Sequence, residues 1–348
     1  MGFPVKTAIG FLCVAAIGGL VYGWGTGLFF PCGPLDGFIN TSNCRILAHW
    51  ENTEIEAVLT RAEDTSIDVV LRGPGREPTA PQQMVEIAVS GGATGQSITL
   101  ADVPPSIDWI GAKADSQGRT VLASFYQERV WLLERATGRR LAIFDGKYNV
   151  GRFGFSRDEQ HVLIDTEYGS FDRPVALTAS KYQMNGTLVG EVTGEETWPI
   201  YQTGISSALT VDGKFMVQHE MTRADTNVVA LRLVDTPYLD WAGKLMLANV
   251  GAWLSQMLPY VFISPDGRHV AASFDSSDEW GQTNSALVVW EIEIQKVATI
   301  VPTWRAPWKD VVWLGDGLLA ASRLHYQIGS SDLALIRYER STNRGSIE

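Results

Sequence analysis

A hairpin that keeps returning constrains this chain more than any other feature. "YVFISPDGRHVAASF", Tyr260–Phe274, joins two hydrophobic runs through a Ser-Pro-Asp-Gly turn. "WIGAKADSQGRTVLASF" from Trp109, "RFGFSRDEQHVLIDTE" from Arg152, "SSALTVDGKFMVQHEM" from Ser206 and "DVVWLGDGLLAASRL" from Asp310 repeat the arrangement. "IEAVLTRAEDTSIDVVLRG" from Ile55 is an earlier, weaker copy. Each copy is followed by further strand-like runs such as "ALVVWEIEIQKVATIV".

The runs are short, rich in Val, Ile, Leu, Phe and Ala, and bounded by Gly, Asp, Pro and Ser, as strands buried between stacked sheets are. Their turns recur about every 40–55 positions, the period of four-stranded propeller blades. Six blades fit residues 45–340, with a seventh left open as a degenerate copy inside a connector. The last copy stops after three strands. "CRILAHW", Cys44–Trp50, precedes the first blade and is placed to supply the missing outer strand and close the ring.

The "SPDG" hairpin and the strand–"TG"–strand ending of the blades resemble the WD40-like and TolB-like β-propeller superfamily. The resemblance covers nearly all of residues 44–340 and implies an all-β propeller. The Trp-Asp and Gly-His dipeptides of the WD40 pattern are absent: "LLERATG" and "WEIEIQK" stand where the former belongs.

The first thirty residues differ from all that follow. Thr7–Phe30 is a run of 24 residues without a charge, long enough to cross a hydrocarbon core of roughly 30 Å as a helix. Tyr22, Trp24, Phe29 and Phe30 lie at its far end, where aromatic rings favour the interface. Lys6 lies on the near side, and no basic residue follows until Arg45, so the positive-inside bias keeps residues 1–6 cytoplasmic and exports the rest. A cleaved signal peptide is the alternative, but the run is longer than an ordinary h-region and offers no Ala-x-Ala-like site. Gly19, Gly23 and Gly27 are spaced to let a second helix approach closely. The expected organisation is a stub over 1–6, a membrane helix over 7–30, a linker over 31–43, the propeller over 44–340 and a tail over 341–348.

Export to an oxidising compartment makes Cys32 and Cys44 a disulfide candidate. Closing so short a loop stabilises by roughly 3 kcal/mol in the chain-entropy model. Asn40 and Asn185 match glycosylation sequons. Net charge is −11, and no Lys/Arg-rich run is present, so nucleic acid is not an expected partner.

Propeller topology places the first–second and third–fourth strand turns on one face and the remaining connections on the other. The first face carries tight turns. The other carries long loops and connectors, and with them Tyr168, Phe171, Trp198, Tyr201, Trp253, Trp280, Trp304, Trp308 and Tyr326 as partner-binding candidates. Leu239–Pro259 is apolar enough to hold a helix, with Leu247, Val250, Leu254, Met257 and Leu258 on one face.

Catalytic patterns are thin. His49, His161, His219, His269 and His325 stand far apart with no ligand spacing. "DSSDE" at Asp275–Glu279 lacks the alternation of a calcium loop. No Gly-x-Ser-x-Gly elbow or phosphate-binding glycine loop is present. Inner strands such as "VFIS" and "FGFS" are apolar, so no converging carboxylates are expected at the axis. The reading is a non-catalytic, cofactor-free, single-pass propeller that binds protein partners within a membrane complex. Its rival is an exported propeller enzyme of the metal-dependent hydrolase or lactonase type, with a site on the axis.

Overall fold

The computed structural model describes residues 44–60, 65–73, 79–91, 93–125, 129–145, 152–165, 178–201, 203–205, 207–209, 215–221, 227–233, 241–246, 256–277, 283–292, 296–304, 308–315, 317–325 and 329–338. Among them the chain is built almost wholly of antiparallel strands in six sheets. The first sheet is β2 (Glu54–Thr60), β3 (Ser66–Arg72), β4 (Gln83–Ala88) and β5 (Ala93–Thr99). The second is β6 (Trp109–Ala114), β7 (Thr120–Phe125), β8 (Val130–Glu134) and β9 (Arg140–Phe144). The third is β10 (Phe153–Phe155), β11 (His161–Asp165), β12 (Thr178–Gln183) and β13 (Leu188–Thr193).

A 3-10 turn at Gly194–Thr197, a one-turn helix α1 (Trp198–Tyr201) and a short strand β14 (Thr203–Ile205) then lead to the fourth sheet. That sheet is β15 (Ser207–Leu209), β16 (Phe215–Met221), β17 (Asn227–Leu233) and β18 (Trp241–Met246). The fifth holds β19 (Gln256–Ile263), β20 (His269–Ser277), β21 (Thr283–Glu291) and β22 (Lys296–Trp304), with β14 added on the inner side of β19. The closing sheet is β23 (Trp308–Trp313), β24 (Leu318–His325) and β25 (Ser330–Arg337), completed by β1 (Cys44–Trp50). β1 pairs antiparallel with β25 from Cys44 opposite Ile336 to Trp50 opposite Ser331. The first described strand therefore closes the last sheet.

Strands β3, β7, β8 and β25 are buried on both faces, which is why they read as near-continuous apolar runs. In the first sheet Ala57, Leu59, Val70 and Met84 meet Trp109, Val121 and Trp131 of the second. The alternate residues Ile55, Val58, Ile67, Val69 and Ile87 meet Leu47, Ala320 and Leu333 of the closing sheet. Leu122, Val130 and Leu132 of the second sheet meet Phe153, Val162 and Tyr182 of the third. The fifth sheet faces the fourth through Val217 and the closing sheet through Ala271, Leu287 and Val289. Sheets stacked face to face around a ring, with the first and last described strands in one sheet, make a β-propeller.

The Ser-x-Asp turns are held by their own side chains. Ser264 Oγ accepts the His269 N–H at 2.9 Å and lies 2.5 Å from Asp266 Oδ1, which accepts the Arg268 N–H at 3.1 Å. Ser156, Asp158, Gln160 and His161 repeat this in the third sheet. Hairpin Tyr260–Phe274 thus belongs to the scaffold, although β14 lies inside it.

The helix expected within Leu239–Pro259 is corrected at both ends. Trp241–Met246 is the fourth strand of its sheet, paired with β17, and Gln256–Ile263 is β19; the ladder places available to these segments outweigh a weak helical period. Residues 247–255 lie outside the described residues. No helix among the described residues is long and apolar enough to cross a membrane; the span expected over 7–30, with Gly19, Gly23 and Gly27, lies outside them.

Candidate functional site

The rim carrying the strand 2–3 and 4–1 connections holds a charged network where the closing, first and second sheets meet. β2 and β23 begin here and β3 ends here. Each inner strand is irregular at this end: the ladder shifts between Ile55 and Ala57, Trp109 and Gly111, and Trp308 and Val311. An extra residue at such a bulge re-aims its side chain, and Glu56, Lys309 and Asp310 occupy these places.

Arg72, at the end of β3, is the hub. Its NH2 lies 2.7 Å from Glu54 Oε2 and its Nε 2.8 Å from Glu56 Oε1, while its NH1 bonds Asp108. Lys309 Nζ comes from the closing sheet to 3.2 Å from Glu54 Oε1 and 3.4 Å from the Ile55 carbonyl. Glu56 Oε2 accepts the Trp109 N–H at 2.9 Å. Three sheets are thereby tied through two carboxylates.

Burial pushes the Glu54 carboxyl up, but Lys309 and Arg72 outweigh it and hold it below its ordinary value. For the deeper Glu56 burial wins, and its carboxyl is raised despite the same two cations. Burial opposes the charge of Arg72 and Lys309 as well. The carboxylates of Glu56 and Glu54 overcome it in both and raise both cations.

A second hub lies beside the first. Asp332 Oδ1 is 2.6 Å from His49 Nδ1 on β1, and its Oδ2 is 2.7 Å from Arg323 Nε and 2.8 Å from His325 Nε2 on β24. Burial pushes this carboxyl up, yet the bond from His325, the charge of Arg323 and the bond from His49 hold it well below the usual carboxylate range. The Arg323 guanidinium also lies 5.7 Å from the centre of the Trp308 ring.

Glu54, Glu56, Asp108 and Asp332 are each within ion-pair distance of a cation of the chain itself. Among the described residues no three His, Cys, Asp or Glu side chains form a metal-holding group. The arrangement is suited to locking the seam of the ring. It also corrects the expectation of purely apolar inner strands, since β2 and β23 carry Glu54, Glu56, Lys309 and Asp310. The signal was present in "EIEAVLT" and "WKDVVW": a charge inside a buried strand demands a partner.

The aromatic candidates divide. Trp308 is fully buried, donates its indole N–H to the Val301 carbonyl at 3.1 Å, and packs in the interface of the fifth and closing sheets. It is a wedge between sheets rather than part of a surface, because a large ring at an inner-strand start fills the gap between sheets. Trp198 is half-buried on α1, where neighbouring Ile200 is fully buried. Tyr201 ends α1 and Trp304 ends β22. Tyr168, Phe171, Trp253, Trp280 and Tyr326 lie outside the described residues, as does Cys32. Cys44 is disulfide-bonded, and the chain's other cysteines, Cys13 and Cys32, both lie outside the described residues.

No protein-family model matches the sequence, and no curated protein sequence matches it either. Among solved structures the chain is similar to hydrazine synthase of Kuenenia stuttgartiensis, at 10% identity and a TM-score of 0.44 over 77% of this chain and 73% of that one. It is also similar to the β-propeller domain of Cps50 (Swd1) from Myceliophteria thermophila, at 12% identity and a TM-score of 0.45 over 83% of this chain and 98% of that one.

Proposed function

We propose that this chain is a six-bladed propeller acting as a non-catalytic protein-binding scaffold, held at a membrane by residues 7–30 with its ring on the exported side. The observation that carries the reading is the rim network. Its carboxylates Glu54, Glu56 and Asp108 are each held by a cation of the chain, which favours a rigid ring presenting loops over a ring that performs chemistry. Given such a tether, the direction of β1 sets how the ring would face the membrane. It starts at the tight-turn face, opposite Ile336, and ends at the long-loop rim, opposite Ser331, so a membrane segment before Cys44 would leave that rim facing away from the bilayer. The disulfide at Cys44 favours an oxidising compartment.

The metal-dependent hydrolase reading would need carboxylates free to take a cation, and Glu54 and Glu56 are engaged by Arg72 and Lys309. Gentle detergent extraction followed by native mass measurement tests the scaffold. The expected result is a stoichiometric complex with another protein. A chain that migrates strictly alone, or one carrying stoichiometric calcium or zinc, overturns it.

A further inference from the structure

Exposed apolar side chains scattered singly over a surface need no explanation. Among the described residues the large ones are Leu141, Leu188 and Val189, exposed by 43%, 58% and 54%, and they are not scattered. Leu141 is the second residue of β9, and Leu188 and Val189 are the first two of β13. Each group follows the turn between the third and fourth strands of its sheet. The two strand starts adjoin, because the turn before β13 is pressed onto β9: a Cβ on Gly186 would stand 2.7 Å from the Ile143 carbonyl oxygen. Outer strands ordinarily guard their open edge with charge, yet β13 opens on Leu-Val-Gly.

The charges beside this apolar corner are cations. Arg139 and Arg140 stand directly before Leu141, and both are exposed. The Arg139 side chain reaches Glu134 only at 3.9 Å. Arg140 lies over the Trp131 ring at 4.7 Å, and it is its backbone N–H that Asp102 accepts. The acids of the third sheet's outer strand and of the turn after it, Glu191, Glu195 and Glu196, come later, towards the other end of β13. The second–third and fourth–first connections of both sheets also leave from the opposite strand ends, so this corner belongs to the tight-turn face.

That face is also where β1 begins. Residues 31–43, between the uncharged run and β1, span at most about 45 Å, so a membrane holding residues 7–30 lies within that reach of the face. In the ring, the second and third sheets stand two and three places from the closing sheet that carries β1, across from the tether. We infer, resting on the membrane reading above, that this corner lies on the bilayer surface. Leu141, Leu188 and Val189 enter between the headgroups, and Arg139 and Arg140 meet anionic lipid phosphates. A contact of this size is weak alone. The tether makes it intramolecular, at an effective concentration of roughly millimolar, and so keeps it made. Two attachments on opposite sides of the ring then fix its tilt.

The test uses the full chain in phosphatidylcholine vesicles containing about a third phosphatidylglycerol, with flotation first and hydroxyl-radical footprinting second. The chain should float with the vesicles. Leu141 and Leu188 should then oxidise at least about threefold more slowly than in dodecyl maltoside micelles, and high salt should reduce that protection. Leu188→Asp with Val189→Asp, at an unchanged melting temperature, should return Leu141 to its rate in micelles, because one surface covers both strand starts. A chain that does not float overturns the membrane reading and this proposal with it. One that floats while both leucines oxidise as in micelles overturns this proposal alone, as does a Leu141 that stays protected in the folded variant. Equal protection in micelles, with the mass of a dimer, means that a second copy covers the corner and overturns it too.

Discussion

His49 on the first strand and Asp332 on the last meet at 2.6 Å, Nδ1 to Oδ1. They are 283 residues apart in the chain, so the two ends of the ring are joined by side chains as well as by the β1–β25 ladder. A further contact reinforces the seam: Arg45 donates to the carbonyls of Val89 and Ser90 at 2.7 and 3.2 Å, fastening the closing strand to the first sheet.

Asp332→Asn removes one charge and almost no volume. It removes the carboxylate charge that Arg323, only 8% exposed in its side chain, is paired with in Asp332, and breaking a buried pair from one side costs about 3 kcal/mol or more. Urea unfolding of the two proteins at neutral pH measures the difference; a loss below about 1 kcal/mol, the range of an exposed pair, would mean that the seam does not depend on this hub. The acid limb carries the same sign. The folded Asp332 pKa lies below the unfolded one, so its contribution is complete above the ordinary carboxylate value and is lost as pH falls below it. Wild type should therefore lose more stability than the variant on descending through that range.

The turns between third and fourth strands press glycines onto the preceding sheet. A Cβ on Gly186 would stand 2.7 Å from the Ile143 carbonyl oxygen, and one on Gly138 would stand 2.7 Å from that of Thr99. Both have positive φ, as does Gly91, which has open space around it. Gly186→Ala should cost about 2 kcal/mol or more, through strain and collision together, and Gly91→Ala about 1 kcal/mol through strain alone. Thermal unfolding of the pair checks the order; equal losses would remove the close approach as a determinant of sheet spacing.

Much of this ring was legible in the sequence. A strand buried on both faces writes a continuous apolar run, and Ser-x-Asp turns write their own closing bonds, so the hairpins at Arg152 and Tyr260 were plain. Cys44–Trp50 was readable as the closing strand because the last copy visibly lacked one. Asp332 was not readable as a hub, since its partners come from two other strands and one lies at the opposite end of the chain. β14 escaped because three residues give no period. "WAGKLM" escaped because its small and apolar residues do not alternate cleanly enough to separate strand from helix.

Trp308 tests the difference between a wedge and a surface ring. It is fully buried, with its N–H bonded to Val301 and its own carbonyl accepting from Ser273 Oγ at 2.8 Å. Trp308→Ala should destabilise by about 3–5 kcal/mol, as emptying a core of a large aromatic does. Loss of partner binding with unchanged unfolding would restore it to the recognition surface and contradict its burial.

Asp310 makes the opposite contribution to Asp332. Burial pushes its carboxyl up to about 6, against the charge of Lys309 and the bond from the Val58 N–H. The folded chain therefore keeps a proton that the unfolded chain has released between an ordinary value of 3.8 and about 6. Stability falls as pH rises through that window, and the loss persists above it, at roughly 2–3 kcal/mol by linkage. Asp310→Asn keeps an acceptor for Val58 and removes the titration. The difference in unfolding free energy, variant minus wild type, should climb between pH 4 and pH 6 and stay level above, leaving the variant the more stable protein at pH 7.5. Taking the difference cancels the acid limb of Asp332, which both proteins share. Parallel curves across the window would show that the carboxyl is ionised and well served at its place on β23, and that burial there is not felt as a charge penalty.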